Sequence, residues 1–325
     1  MIYSNLSPDL KNISKIGFGC AAIGGYDYGQ ISDHESISAI HKSIDLGVNF
    51  FDVADVYGFG HAETILGNAL KGLDKENIYI ATKVGVRWDD NSKKTWRDLS
   101  SVYLEKAVNS SLKRLGVERL DICQMHWPIS NIPPEEIIRS FEKLHLAGKI
   151  NYIGVCNVSE LWIKEAAKHC RIHSLQIPYS LFDKSNFNLI NSSRLNLGVG
   201  IFVYNVLAHG LLTGKYDINS RFTVNDLRNR INLFSASYFP RALNVVDTVR
   251  YVANELCLLP SQVAISYVLS TIEVTSVLVG VKSVEQAHSN FSYTKNLPLW
   301  AIKLIDHSCK VNDFFPSEKV DYVNK

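Results

Sequence analysis

The stretch Leu104-Glu-Lys-Ala-Val-Asn-Ser-Ser-Leu-Lys-Arg-Leu-Gly-Val-Glu-Arg-Leu-Asp-Ile-Cys-Gln-Met-His126 holds two periodicities and the break between them. Leu104, Val108, Leu112 and Leu115 recur at helical spacing, with Glu105, Lys106, Asn109 and Lys113 on the other face, and Gly116 stops the pattern. Leu120 to His126 then reads as a buried strand. Outward from here the same unit repeats. Strands are predicted at Lys15–Gly19, Asn49–Asp52, Ile78–Lys83, Tyr152–Val155, Ser174–Ile177, Gly200–Asn205 and Ser276–Val279, which with Leu120–His126 makes eight. Helices are predicted to start at the capping box Ser32-Asp33-His34-Glu35, at Pro133-Pro134-Glu135, at Ser159, at Pro260-Ser261 and at a second capping box, Ser283 to Gln286. Alternating strands and helices imply parallel pairing. Eight units in 325 residues favour a closed (β/α)8 TIM barrel of the α/β class over an open doubly wound sheet. One domain over 1–325 is expected, with a helix and tail from about 297.

The competing fold is a dinucleotide-binding Rossmann domain, because Gly17-Phe18-Gly19-Cys20-Ala21-Ala22 fits the loose GxGxxA fingerprint. No helix start follows it, since Gly24, Gly25 and Tyr26 continue a loop, and no acidic residue ends a strand about twenty positions on. A glycine-rich first barrel loop is the better reading.

Lys and Arg number 34 against 32 Asp and Glu, a formal charge of +2, with no basic block of the kind that neutralises phosphate backbones, so no nucleic-acid partner is expected. The longest stretch without a charged residue, Leu195 to Gly214, contains Asn196, Asn205, His209 and four glycines. It reads as a strand running into a loop and gives no membrane span. The N-terminus lacks the basic-then-apolar order of a signal peptide, which makes a cytoplasmic protein the expectation. Six cysteines, none closer than fourteen positions, include no CxxC and signal neither structural zinc nor a redox dithiol.

Polar residues stand where the apolar strands end. Asp52, Lys83 and His126 terminate the second, third and fourth strands, Asn157 follows the fifth, and Gln176 lies in the sixth. Tyr204 and Asn205 end the seventh, and Gly280 follows the eighth. In a (β/α)8 barrel these ends converge on the rim that carries the active site. Lys83, directly after an apolar run, needs a partner to be tolerated there, and Asp52 on the neighbouring strand is the natural one.

These residues carry a resemblance. Gly47-Val48-Asn49-Phe50-Phe51-Asp52-Val53-Ala54-Asp55-Val56-Tyr57-Gly58, with Glu63 and Leu66-Gly67, is similar to the signature of the aldo-keto reductase family. The match continues through Ala81-Thr82-Lys83, Gln124-Met125-His126-Trp127-Pro128, Ile153-Gly154-Val155-Cys156-Asn157, Gly214-Lys215-Tyr216 and Gly280-Val281-Lys282-Ser283, with Gln286 and Asn290. It runs in order from about Lys15 to about Asn290. The resemblance implies a barrel that binds NADPH (NADP+) without a Rossmann fold and reduces a small-molecule aldehyde or ketone. It implies Tyr57 as proton donor, Lys83 and Asp52 as its tuners, and His126 as the residue that orients the carbonyl. Asn157 and Gln176 would hold the nicotinamide carboxamide and Tyr204 would stack on the ring. Lys215, Lys282, Ser283, Gln286 and Asn290 would lie around the phosphates. Three positions depart from the family pattern: Cys156 replaces a serine, Asn205-Val206-Leu207 replaces Ser-Pro-Leu, and Ser289 replaces an acidic residue. At the first two, nicotinamide and pyrophosphate contacts are expected from Cys156, Asn205, Leu207 and, at the eighth strand, Gly280.

The chemistry explains the residue types. A nicotinamide supplies a hydride, so the protein must supply the proton. A free tyrosine, with a pKa near ~10, is a poor donor at neutral pH. A lysine ammonium at about 4 Å in an effective dielectric near 20 favours the phenolate by roughly 4 kcal/mol, and desolvation opposes part of that. The carboxylate of Asp52 would keep Lys83 charged. A neutral His126 can donate to the carbonyl oxygen. Lys282, beside the helix start at Ser283, offers a cation and a helix N-terminus to the extra phosphate of NADPH, which favours it over NADH.

Two further constellations lie outside this set. His169 and His173 have the i, i+4 spacing of a metal pair but no third ligand nearby, and read better as solvated histidines at a helix end. Tyr26, Trp88 and Trp127 follow the first, third and fourth strands and could wall an apolar pocket or belong to the core. The alternative to an enzyme is a non-catalytic nucleotide-binding regulator, since proteins of this family type also serve as channel-associated subunits.

Overall fold

The structure, a computed structural model, describes residues 1–6, 10–26, 31–224, 226–293 and 295–314. All eight predicted strands form, within two residues of their expected ends. They are β1 (Ile16–Gly19), β2 (Phe50–Asp52), β3 (Tyr79–Val84), β4 (Leu120–Met125), β5 (Ile150–Cys156), β6 (Ser174–Pro178), β7 (Gly200–Tyr204) and β8 (Ser276–Gly280). Each pairs in parallel with the next, and β8 pairs with β1 to close the barrel.

Around them lie α1 (Asp33–Asp45), α2 (His61–Ala69), α3 (Ser101–Leu115), α4 (Pro134–Leu146), α5 (Glu160–Ala166) and α6 (Phe187–Leu197). The ring continues through α7 (Phe239–Leu256), α8 (Pro260–Thr271) and α9 (Val284–Phe291), and α10 (Leu299–Val311) follows it. Local signals set the ends. Ser32, Ser159 and Ser283 each accept a backbone N–H three residues on, and Gly116 takes the left-handed φ of +64° that lets the chain leave α3. The tail expected after α10 lies, from 315 on, outside the described residues. No single helix among the described residues is long and apolar enough to cross a membrane.

The barrel interior has an apolar floor and a polar top. Phe50, Ala81, Ile122, Phe202 and Leu278 fill the lower part, and Leu6, Leu10 and Ile13, from a small N-terminal hairpin (Tyr3–Ser4 with Ile13–Ser14), plug it from below. The rings of Phe50 and Phe202 lie 4.6 Å apart, and burying each contributes about 1.5–3 kcal/mol. The sequence reading did not anticipate this plug, nor a second hairpin after β3, Val86–Trp88 with Thr95–Arg97. Above the floor the inward-facing residues are Asp52, Lys83, Gln124, Cys156 and Gln176, all buried. The apparent dinucleotide fingerprint at Gly17 is β1 running into a 3₁₀ turn, Ala22–Gly24.

Candidate active site

Lys83, next to last in β3, points into the barrel, 2% exposed, and its ammonium donates to three oxygens: Asp52 Oδ2 at 2.8 Å, the Val53 carbonyl at 3.0 Å and the Tyr57 hydroxyl at 3.3 Å. Burial opposes the charge, but Asp52 and then Tyr57 more than offset it, so the Lys83 pKa is raised and the side chain is an ammonium at neutral pH. Burial pushes Asp52 up while Lys83 and Gln176 oppose the rise. The phenol is placed by the turn after β2. Gly58 adopts φ +59°, and a Cβ there would lie 2.2 Å from the Gly24 carbonyl oxygen, so the first and second loops interlock at two glycines and hold Tyr57 over Lys83.

His126, just past β4, meets the Tyr57 ring edge-on at 5.8 Å. Burial first, then the charges of Lys83 and Arg97, hold its pKa well below the usual histidine value, so it is neutral. Its Nδ1 is buried without a partner. Trp127 stacks beside it at 6.0 Å. The aromatics expected around a pocket are found here with one the sequence reading missed. Phe59 packs edge-on to Tyr26 at 4.9 Å and lies 6.1 Å from Trp88.

On the far side of the rim, Asn157 takes φ +58° and turns the chain out of β5. Its amide donates to the His126 carbonyl at 3.2 Å and accepts from the Tyr204 hydroxyl at 2.9 Å. Two side chains expected at the cofactor have partners inside the barrel. The Cys156 thiol does not face the rim, because the β5 pleat turns it to the barrel axis, where it donates to Gln124 Oε1 at 2.8 Å and Gln176 Oε1 at 3.3 Å. Gln176 is likewise engaged inside, its amide donating to Asp52 Oδ1 at 2.7 Å and so supporting the Asp52–Lys83 pair. Asn205, at φ +62°, accepts from the His209 N–H at 3.2 Å and holds the following loop, which Leu207 anchors against the core.

Of the residues expected around phosphates, Lys215 and Lys282 lie close enough to act on each other. Lys215 is half-buried, and its pKa is lowered by burial and then by the charges of Arg228 and Lys282. Arg228, missed in the sequence because it lies in a segment with no periodicity, bonds Asp226 and the Tyr216 hydroxyl. Ser283 caps α9, the side-chain Oε1 of Gln286 accepts from the Lys282 N–H at 3.1 Å, Asn290 lies on the buried face of α9, and Gly280 ends β8 facing open space. Lys215 and Lys282, with Arg228 already paired to Asp226, place positive charge beside a helix N-terminus, where the phosphates of a dinucleotide would be favoured. The residues present therefore fit a nicotinamide dinucleotide.

The two histidines have separate partners. His169 pairs with Glu165 and Glu135, and His173 is half-buried rather than solvated, accepting from the Ile153 N–H at 3.2 Å, with its pKa lowered to about 4 by burial. No metal-holding cluster occurs among the described residues.

Known proteins share both sequence and fold. The model of the aldo/keto reductase family matches residues 15–307. Aldo-keto reductase YhdN of Bacillus subtilis is 32% identical over 78% of this chain and 76% of its own length. The Schizosaccharomyces pombe aldo-keto reductase yakc, named for NADP(+), is 30% identical over 92% and 87%. The NADH-specific methylglyoxal reductase of Escherichia coli is 28% identical over 86% and 89%. The structure of the glycerol dehydrogenase AKR11B4 from Gluconobacter oxydans superposes with a TM-score of 0.86 at 30% identity, covering 97% of this chain and 96% of that one. The barrel, its buried lysine and these matches together show that the chain belongs to the aldo/keto reductase family.

Proposed function

We propose that this enzyme, acting as a single barrel domain, reduces an aldehyde or ketone to an alcohol with NADPH, with Tyr57 giving the proton. One observation carries the reading: a buried ammonium, fixed by Asp52, has its remaining donor on the hydroxyl of a tyrosine at the barrel rim. A bound nicotinamide cofactor supplies hydride to the carbonyl carbon. The carbonyl oxygen then takes a proton, and Tyr57 is the rim hydroxyl that can give it. The phenolate left behind is stabilised by Lys83, which stays charged because Asp52 stays beside it. Neutral His126, packed between Tyr57 and Trp127, can donate to the carbonyl oxygen and fix its place.

Asn157 and Tyr204, half-buried at the rim, are the groups available to the nicotinamide, while Cys156 and Gln176 support from below. Lys215, Lys282, Ser283, Gln286 and Asn290 are assigned to the phosphates and adenosine, with Arg228 added to them. Lys282 is the basis for preferring NADPH. Oxidation of NADPH and of NADH, followed with a panel of neutral and anionic aldehydes, tests the proposal. Turnover with NADPH is expected. Tight NADPH binding without turnover of any carbonyl would point instead to a nucleotide-binding regulator.

A further inference from the structure

The hairpin that leaves β3 ends at Arg97. Its guanidinium lies over Trp127, 5.4 Å from the ring centroid, and donates to the Pro128 carbonyl at 2.9 Å. Since Trp127 stacks beside His126, the cation stands one ring from the imidazole. Other half-buried arginines face carboxylates, as Arg114 faces Glu63, Arg194 faces Glu273 and Arg228 faces Asp226. Arg97 has no such partner among the described residues: the adjacent Asp98 is turned to Arg87, at 3.3 Å, and to Ser100. The guanidinium is partly screened from water and spends one of its five donors on the Pro128 carbonyl, which leaves the others for a ligand. Burial depresses its pKa accordingly.

We propose that Arg97 is the specificity residue of the substrate pocket and that it takes the carboxylate of an aldehyde or ketone whose carbonyl lies at Tyr57 and His126. A guanidinium meets a carboxylate through two parallel hydrogen bonds, and a single unpaired positive charge matches a monoanion. Of the two cations acting on His126, Lys83 is already paired with Asp52, while Lys93, 4.9 Å from the Phe59 ring centroid, is the cation a phosphate dianion would need besides Arg97, so phenyl phosphate is the competing ligand in the test. The inference rests on the carbonyl-reductase reading above, since that reading supplies the position of the carbonyl.

Calorimetric titration of the intact protein in the presence of NADP+ with benzoate, benzyl alcohol and phenyl phosphate tests it. Benzoate should bind at least about ten-fold more tightly than benzyl alcohol. Arg97→Met should remove that difference and Arg97→Lys should restore part of it. Equal benzoate affinity in the wild type and Arg97→Met overturns the proposal, and tighter binding of phenyl phosphate than of benzoate overturns the carboxylate assignment. In turnover, the kcat/KM ratio of 4-carboxybenzaldehyde to benzaldehyde should fall by about ten-fold in Arg97→Met. Benzoate binding through Arg97 without turnover of either aldehyde would support the anion site and sink the reductase reading, so the two failures are separable.

Discussion

Thr82 and Lys83 are neighbours on β3, and the strand sends them to opposite faces. Thr82 points outward, where its hydroxyl donates to Glu63 Oε1 at 2.6 Å while Arg114 pairs with Glu63 Oε2 at 2.6 Å. Lys83 points inward to Asp52 at 2.8 Å. Both pairs are ionic and withdrawn from water, and both carboxylates are buried. They differ in what is left over. Glu63 has both oxygens engaged by groups that hold α2 and α3 to β3, and nothing in that clasp can pass on a proton. The ammonium of Lys83 has a third donor, and it rests on the Tyr57 hydroxyl. Burial of an ion pair therefore does not mark chemistry; a remaining hydrogen bond to an ionisable group at an open rim does.

The largest expected effect tests the group at the end of that contact. Tyr57→Phe keeps the ring and removes the transferable proton, so kcat should fall by roughly 10²-fold or more with NADPH affinity near wild type. Near-normal turnover in this variant would remove Tyr57 from the acid role and with it the contrast between the two pairs.

Breaking each pair sharpens the contrast. Arg114→Met leaves Glu63 buried and unpaired, and Lys83→Met does the same to Asp52, so each should lose about 3–5 kcal/mol in urea unfolding. Only Lys83→Met should also collapse turnover by the protein that remains folded. Comparable kcat losses in the two would mean that both pairs act only as structure.

Lys282→Glu probes charge outside either pair. It should weaken NADPH binding by about ten-fold or more while changing NADH far less, because only the former carries the extra phosphate. Fluorescence titration of both cofactors measures this, and equal losses would leave Lys282 with no part in cofactor choice.

The smallest effect is expected below Lys83. Cys156→Ser puts a hydroxyl where the thiol meets Gln124 and Gln176, so stability should change by less than about 1.5 kcal/mol and NADPH affinity should stay level. Tighter cofactor binding in calorimetry would show that position 156 reaches the rim after all.

Some of this was legible before the fold. Leu104 to His126 specified a helix, its stop and a strand through local periodicity and one glycine, and repeating that unit eight times leaves little choice but a parallel barrel. The polar residues closing the strands were equally visible, because a lysine after an apolar run needs a partner wherever it ends up. The N-terminal plug was not visible: two-residue strands carry no periodicity, and Leu6 and Leu10 mean nothing until a barrel floor exists beneath Phe50.

The sequence by itself thus determined the alternation of strands and helices, and the set of ionisable residues delivered to the rim. Those depend on neighbours within a few positions. The tertiary structure decided where each side chain points and what it meets. Cys156 and Asn157 are adjacent, yet the pleat turns one to the axis and a left-handed φ turns the other to the rim. Arg97 and Asp98 are adjacent and opposite in charge, yet Asp98 is turned to Arg87 and Arg97 to Trp127. Pairings of this kind join residues far apart in the chain, and they exist only once the closed barrel has brought eight strand ends to one face.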